Sequence, residues 1–378
     1  MSEPATAVAS ERATRARVDR VILRDFRNFA STDVLVPPEG LALVGENGHG
    51  KTNFLEAVYY LQILRSFRGA RDVDLVRFGT AGFHIAAALG NASARQVAVG
   101  FQRQTKKKKA MVDGAEPLRL ADAIAAFPAV IFSPADAELI AGAPGQRRRF
   151  LDVMLSLTSR PYLMALQRYR GALARRNAAL RDGLSETIEV WEPALADAGA
   201  VLWRARRAWV RTHSSQFARL CAAIGEQGAS VLRYVTPLEC ADDEVEQALL
   251  DALARRRAFD AQRGMTHAGP HRDDVELTLD GRELRTFGSA GQQRTAAIAL
   301  RLLEAATLRA AAGAEPIVLL DDPFAELDQR RTVRILELLQ GEGRGQTILA
   351  VPRPTDIPAD LTPLERWRVH HGELTPDA

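Results

Sequence analysis

The chain has 378 residues, 47% of them hydrophobic and 26% charged, with a formal net charge of only +3. That balance fits a soluble globular protein of two or three domains and does not guarantee a large uniform basic surface, so any nucleic-acid contact must come from local clustering. No apolar run approaches the ~18 residues of a membrane span, no uninterrupted apolar core of a secretion signal opens the chain, and the two cysteines, Cys221 and Cys240, lack metal-like spacing and argue against a disulfide framework. A cytoplasmic protein is expected, with no membrane partner.

Residues 1–16, rich in Ala, Ser, Thr and charges, read as a disordered leader. Strand signals follow at Arg17 to Leu23, Val34 to Val36 and Leu41 to Val44. Next comes Gly45-Glu46-Asn47-Gly48-His49-Gly50-Lys51-Thr52, which fits G-x-x-x-x-G-K-[ST], and then a helical run from Asn53 to Leu64. Strand, phosphate loop and helix stand in the order a nucleotide site requires. The glycines let backbone N–H groups curl round phosphates, Lys51 reaches the terminal phosphates and the Thr52 hydroxyl serves Mg²⁺. The chain should bind ATP or GTP. Lysine is scarce here, five among 50 basic residues: Lys51 and the run Lys106, Lys107, Lys108, Lys109.

Further strands are expected at Phe83 to Leu89, Val97 to Phe101, Ala110 to Val112 and Ala129 to Phe132. From Pro134 to about Arg263 the period becomes helical, with few strand signals. Strand character returns at Val275 to Leu279, and Asp280-Gly281 marks a hairpin turn into a second strand, Leu284 to Phe287. A helix from about Gly291 to Ala311, an apolar strand Ile317 to Leu320, a helix from about Asp328 to Leu339 and a strand Gln346 to Val351 complete the pattern. The fold class is therefore α/β: a P-loop ATPase lobe with a mixed β-sheet (residues 17–132 and 264–378), interrupted by a mainly helical second lobe (133–263).

Two carboxylates, Asp321 and Asp322, end the apolar strand. In P-loop ATPases such a strand end holds Mg²⁺ through the first carboxylate and polarises the attacking water with the next. Asp321 is read as the metal partner of Thr52, and Asp322 as the catalytic group acting with Lys51 and Asp321. Asp322 is one methylene shorter than the glutamate common in transporters, so slow turnover is expected. Ser289-Ala290-Gly291-Gln292-Gln293 resembles the signature of ABC-type ATPases, in which a helix start grips the γ-phosphate of a nucleotide held by the other subunit. The same residues also fit an ordinary N-cap. Ala325-Glu326-Leu327-Asp328 resembles the D-loop of that class. Together they imply two nucleotide lobes face to face, with Ser289, Gly291, Gln292 and Asp328 completing the site across an ATP-dependent homodimer.

With these pieces in order the chain resembles the RecF family of SMC-like ATPases. The resemblance extends to Arg24-Asp25-Phe26-Arg27-Asn28-Phe29, Arg65-Ser66-Phe67-Arg68, Leu139 to Asp152, Arg176 to Leu180 and Gly269 to Asp274, and covers about Arg17 to the C-terminal end. It implies nucleotide contacts from Arg27, Asn28 and Asn53 and an ATP-binding, weak, DNA-stimulated ATPase. It further implies binding to single-stranded DNA and gapped duplex, with RecR and RecO as partners, RecA loaded downstream, and a part in recombinational repair and the SOS response.

Two departures from the family pattern stand out. Pro323 follows the paired aspartates, and Val351-Pro352-Arg353-Pro354 supplies no switch histidine, with His370 and His371 too far along to take that role. Asp-Asp-Pro-Phe-Ala is closer to transporters, which makes a transporter-type ATPase subunit one alternative; another is a non-hydrolysing ATP-locked DNA scaffold. Lys106 to Lys109 fit either a charged sheet edge or phosphate contacts. Arg147 and Arg148 are further DNA candidates in a locally basic helical region. His267 and His271 read as structural hydrogen-bonding residues rather than metal ligands.

Overall fold

The computed structural model describes residues 14–90, 95–183, 185–323, 329–341 and 345–377. The chain divides into two compact units: Met1–Ile131 with Leu308–Asp321 and Leu338–Ala378, and Phe132–Thr307 with Asp322–Glu337.

The first unit is built on two sheets. In one, the strands Gly40–Val44, Thr347–Val351 and Ile317–Asp321 lie side by side in parallel, and every residue of the three is buried. Continuous apolar runs of this kind are what a strand covered on both faces needs. Glu365–His370 adds in parallel beside Gly40–Val44, and Glu373–Pro376 pairs antiparallel outside it. Ala129–Phe132 closes the other edge. The second sheet is an antiparallel meander in the order Phe29–Leu35, Arg17–Phe26, Gly82–Gly90, Gln96–Gln102, Lys107–Val112. Buried Gln346 ties the two sheets together: its Nε2 donates to the Val18 and Pro37 carbonyls, and its Oε1 accepts from the Val18 N–H. Thr14–Arg15, at the end of the stretch read as a leader, pair in parallel with Ala314–Glu315, so these residues are part of the fold.

The phosphate-loop helix, Lys51–Ile63, buries all but two of its residues. A helix apolar nearly all round belongs in the middle of a core. It ends at Leu64, whose left-handed backbone (φ 56°) lets its N–H reach the Tyr60 carbonyl.

In the second unit the helices Pro144–Thr158, Arg160–Arg181, Glu192–Ile224 and Val245–Arg263 pack with a small antiparallel sheet. Its central strand is Asp274–Leu279, flanked by Ser230–Val235 and Arg282–Glu283. Asp280 and Gly281 both have positive φ, the condition for a tight hairpin turn. Two expectations change here. Leu284–Phe287 is a short helical turn, not a strand, because Leu284 alone has a core to enter and the Gly288 N–H closes back on the Leu284 carbonyl. Ser230–Val235 is a strand within a stretch read as largely helical, and its pairing partner lies some forty residues further along.

Candidate active site

The loop Gly45 to Lys51 leaves a buried parallel strand and enters the central helix. Gly50 sits at φ 121°, where a side chain is strained, and a Cβ there would lie 2.6 Å from Asn28 Nδ2. Only glycine lets the backbone pass this close. Lys51 is buried, and its ammonium donates to the Gly45 and Glu46 carbonyls at 2.6 and 3.0 Å. That holds the charge against the loop, where phosphate oxygens could replace the carbonyls as acceptors. No acidic residue occupies the first turn of the helix, so its positive end is left for an anion.

Thr52 Oγ1 donates to Asp321 Oδ1 at 2.8 Å, joining residues 269 apart in sequence. Asp321 is buried at the end of its strand. A hydroxyl and a carboxylate oxygen in contact form a hard-oxygen pair, and Mg²⁺ bound by few protein ligands and several waters fits that donor set. Asp322 follows with φ 43°, a left-handed backbone uncommon outside glycine and asparagine, and is partly exposed. Such strain at the end of a core strand is typical of functional positions.

A second layer braces the loop. Asn28 Nδ2 donates to the His49 carbonyl at 2.8 Å, and Asn28 Oδ1 accepts from Asn53 Nδ2 at 2.8 Å. Arg27, also at positive φ, grips the fully buried Glu56 through Nε and Nη2 at 2.8 and 3.0 Å. Ser66 donates to the same carboxylate at 2.5 Å, and Arg68 Nη1 reaches Asn53 Oδ1 at 3.2 Å. Arg27 and Asn28 therefore contact the loop and its helix from the outside. In this structure they act as braces. Glu56, which holds Arg27, is not among the residues the sequence singles out. The available signal is a lone acid inside the otherwise apolar run from Phe54 to Leu61.

In the second unit Ser289 caps the helix Ala290–Ala312. The Ser289 N–H donates to Gln292 Oε1 at 2.9 Å, and the Gln292 N–H donates to Ser289 Oγ at 3.3 Å. This is a reciprocal capping box, so the N-cap role is real whatever else the motif does. Arg331 Nη1 donates to the Gly291 carbonyl at 3.3 Å. Asp328 lies outside the described residues. After Val351, Arg353 and Asp356 close a short turn on each other, with no histidine in it.

The basic candidates separate. Lys106 and Lys107 are exposed at the hairpin into the edge strand, and Lys109 is exposed and pairs with Glu116. Lys108 is instead drawn inward, to Asp72 and the Leu64 carbonyl at 2.7 Å each, with its ammonium over the Tyr60 ring. Arg147 is buried, paired with both Asp274 oxygens and donating to three backbone carbonyls. Arg148 donates to the Asp273 carbonyl at 2.6 Å, and burial pulls its pKa down. The hydrogen bonds of Arg147 are thus spent inside its own unit.

Around these arginines lies a buried polar network. Arg206 donates to Asp152, the Tyr162 hydroxyl and the Pro270 carbonyl. Fully buried Arg176 bridges Asp260, Glu192 and Thr266. His267 bonds Asp260. His271 Nε2–H donates to the Thr266 carbonyl at 3.0 Å, which leaves Nδ1 to accept from the Tyr169 hydroxyl at 2.6 Å. Burial pushes the His271 pKa down to about 4, so the ring is neutral. Both histidines are structural hydrogen-bonding groups in this network.

The family model described as the RecF/RecN/SMC N-terminal domain matches residues 17–354. Fold and site thus define an ATPase of the SMC-like, ABC-type class. The DNA replication and repair protein RecF of Herpetosiphon aurantiacus is 34% identical over 386 residues, covering 95% of this chain and 99% of the relative. That of Anaeromyxobacter dehalogenans is 38% identical over 365 residues, covering 94% and 97%. This chain belongs to the RecF family. A solved structure of the recombination mediator protein RecF with ATP, in the RecFOR pathway, superposes with a TM-score of 0.88 at 25% identity, covering 98% of this chain and 100% of the other. An Smc head bound to the C-terminal winged-helix domain of ScpA shares the fold, with a TM-score of 0.55 at 15% identity over 95% and 96% of the two chains. Membership of this family removes the transporter-type alternative. Among the described residues no helix is long and apolar enough to cross a membrane.

Proposed function

We propose that the chain is an ATP-gated DNA clamp of the cytoplasm and nucleoid. ATP is cradled by the loop from Gly45 to Asn53, and two copies close on each other with the nucleotides between them. Mg²⁺, when bound, neutralises phosphate charge. Thr52 and Asp321 hold it, Lys51 binds the terminal phosphates, and Asp322 orients and deprotonates the attacking water. Ser289, Gly291, Gln292 and Asp328 act on the partner copy's nucleotide. Hydrolysis is weak and stimulated by DNA, and it resets the clamp rather than driving a motor. The clamp's target is the single-strand gap in duplex DNA, with RecR and RecO as partners, RecA loading as the outcome, and recombinational repair and SOS induction as the consequence.

The observation that carries this reading is the Thr52–Asp321 hydrogen bond beside the seated Lys51. It brings the two halves of a phosphate and metal site together from opposite ends of the chain. ATP turnover by wild type, Lys51→Met and Asp322→Asn is the test. Slow, DNA-stimulated phosphate release is expected from wild type alone, with ATP bound by Asp322→Asn as by wild type and more weakly by Lys51→Met. Unchanged turnover in Asp322→Asn would move the water-activating role to another residue, whereas an Asp322→Asn variant that behaves like wild type in every DNA assay would favour the non-hydrolysing scaffold.

A further inference from the structure

Three of the chain's seven histidines, His49, His370 and His371, come together in the first unit, each offering a ring nitrogen within 4.8 Å of the others. His49 belongs to the phosphate loop, and its ring is largely covered. His370 and His371 stand exposed on the turn between the strands Glu365–His370 and Glu373–Pro376. The ring centroids are 4.4 to 4.9 Å apart.

The backbone fixes this meeting. The Gly372 N–H donates to the His49 carbonyl at 2.9 Å, and the same carbonyl accepts from Asn28. Gly372 has φ 86°, and a Cβ on it would lie 2.3 Å from the Asn28 carbonyl oxygen, so only glycine permits the turn to lie this close to the loop. The histidines on either side of the contact are thereby held in register. Among the described residues no hydrogen bond to the His370 or His371 ring, and only a 3.9 Å approach of Glu46 to His49 Nε2, engages the imidazole nitrogens.

We propose that His49, His370 and His371 form a binding site for a divalent transition-metal ion of the zinc class, separate from the Mg²⁺ that accompanies ATP. Imidazole nitrogen suits Zn²⁺, Co²⁺, Ni²⁺ and Cu²⁺, whereas Mg²⁺ prefers oxygen. Metal–nitrogen bonds of about 2.0–2.1 Å in a tetrahedral shell bring ligand nitrogens to roughly 3.4 Å. The two exposed rings close that gap by side-chain rotation on a fixed backbone. Water or the Glu46 carboxylate takes the fourth position. The bound ion would clip the turn to the phosphate loop.

The test is a Co²⁺ titration of the full chain without nucleotide or Mg²⁺, read by visible absorption. One equivalent should develop the intense bands of four-coordinate cobalt, bleached by Zn²⁺ and unaffected by excess Mg²⁺. His370→Gln and His371→Asn change exposed side chains, and asparagine tolerates the left-handed backbone of residue 371 (φ 46°). Each should weaken Co²⁺ binding by at least about tenfold. Lys51→Met should bind cobalt as wild type does, which separates this site from the nucleotide. Absence of four-coordinate bands in wild type, or binding by both His370→Gln and His371→Asn equal to that of wild type, would overturn the proposal.

Discussion

Lys51 and Glu56 show how charge is used at single positions. The Lys51 ammonium is seated on loop carbonyls and is available for exchange onto phosphate, so Lys51→Met should weaken ATP binding on the order of 10- to 100-fold, the worth of a hydrogen bond to a charged group. Calorimetric titration with ATP measures it, and near-wild-type affinity would move the phosphate contact elsewhere. Glu56 is different: it is fully buried and balances Arg27, so Glu56→Gln leaves a largely covered guanidinium with a neutral partner. A stability loss of up to about 3–5 kcal/mol is expected in denaturant unfolding. A third residue predicts pH dependence. His271 stays neutral in the native state down to about pH 4, while the unfolded chain takes up its proton near 6.5. Between those values the unfolded state binds more protons, so stability falls as pH falls, by up to about 3 kcal/mol across the window. Asp273, raised by burial, acts in the opposite direction, so the comparison to make is wild type against His271→Gln at pH 7 and pH 5. The variant should lose less stability on acidification, and equal losses would refute the assignment.

The strand Lys107–Val112 is the edge of the antiparallel sheet, and its lysines divide between two jobs. Lys108 serves the fold, whereas Lys106, Lys107 and Lys109 point charge into solvent. An edge strand needs such charge against aggregation, and the same charge is available to DNA phosphates. Replacing those three exposed lysines with glutamine should reduce the salt dependence of duplex binding, by roughly 0.9 in the log–log slope for each phosphate that a lysine no longer neutralises. Arg147→Ala should instead cost about 3–5 kcal/mol of stability and leave the slope intact, because its charge is spent on Asp274. An unchanged slope for the lysine variant would leave the edge-protection role alone. At this scale the buried strands and the phosphate-loop helix are legible from their unbroken apolar runs. Ser230–Val235 is not, being six residues between two long helices, with a partner that only the tertiary fold supplies. The run from Leu284 to Phe287 has strand-like residues, but with one buried side chain it has nothing to alternate against.

Across the whole chain, the parts of the site are far apart in sequence and the fold brings the key pair into contact. The glycine spacing around Lys51 and the paired aspartates can be read directly, because backbone approach to phosphate and metal ligation each demand particular residue types at fixed spacing. The convergence of His49 with His370 and His371 cannot, since it depends on the pairing of the strand Glu365–His370 beside Gly40–Val44 and on the Gly372 contact. Whether the Ser289 helix start serves a partner's site, as proposed, depends on a second copy, which one chain's pattern cannot specify. If ATP joins two copies around DNA, nucleotide state must set both mass and retention. The direct measurement is retention on a gapped duplex with mass determined by light scattering, for wild type, Lys51→Met and Asp322→Asn, in ATP and in ADP. Asp322→Asn with ATP should be a dimer held on DNA, while Lys51→Met and all ADP states remain monomers that release it. DNA binding that ignores nucleotide, with no dimer in any state, would contradict the ATP-gated clamp.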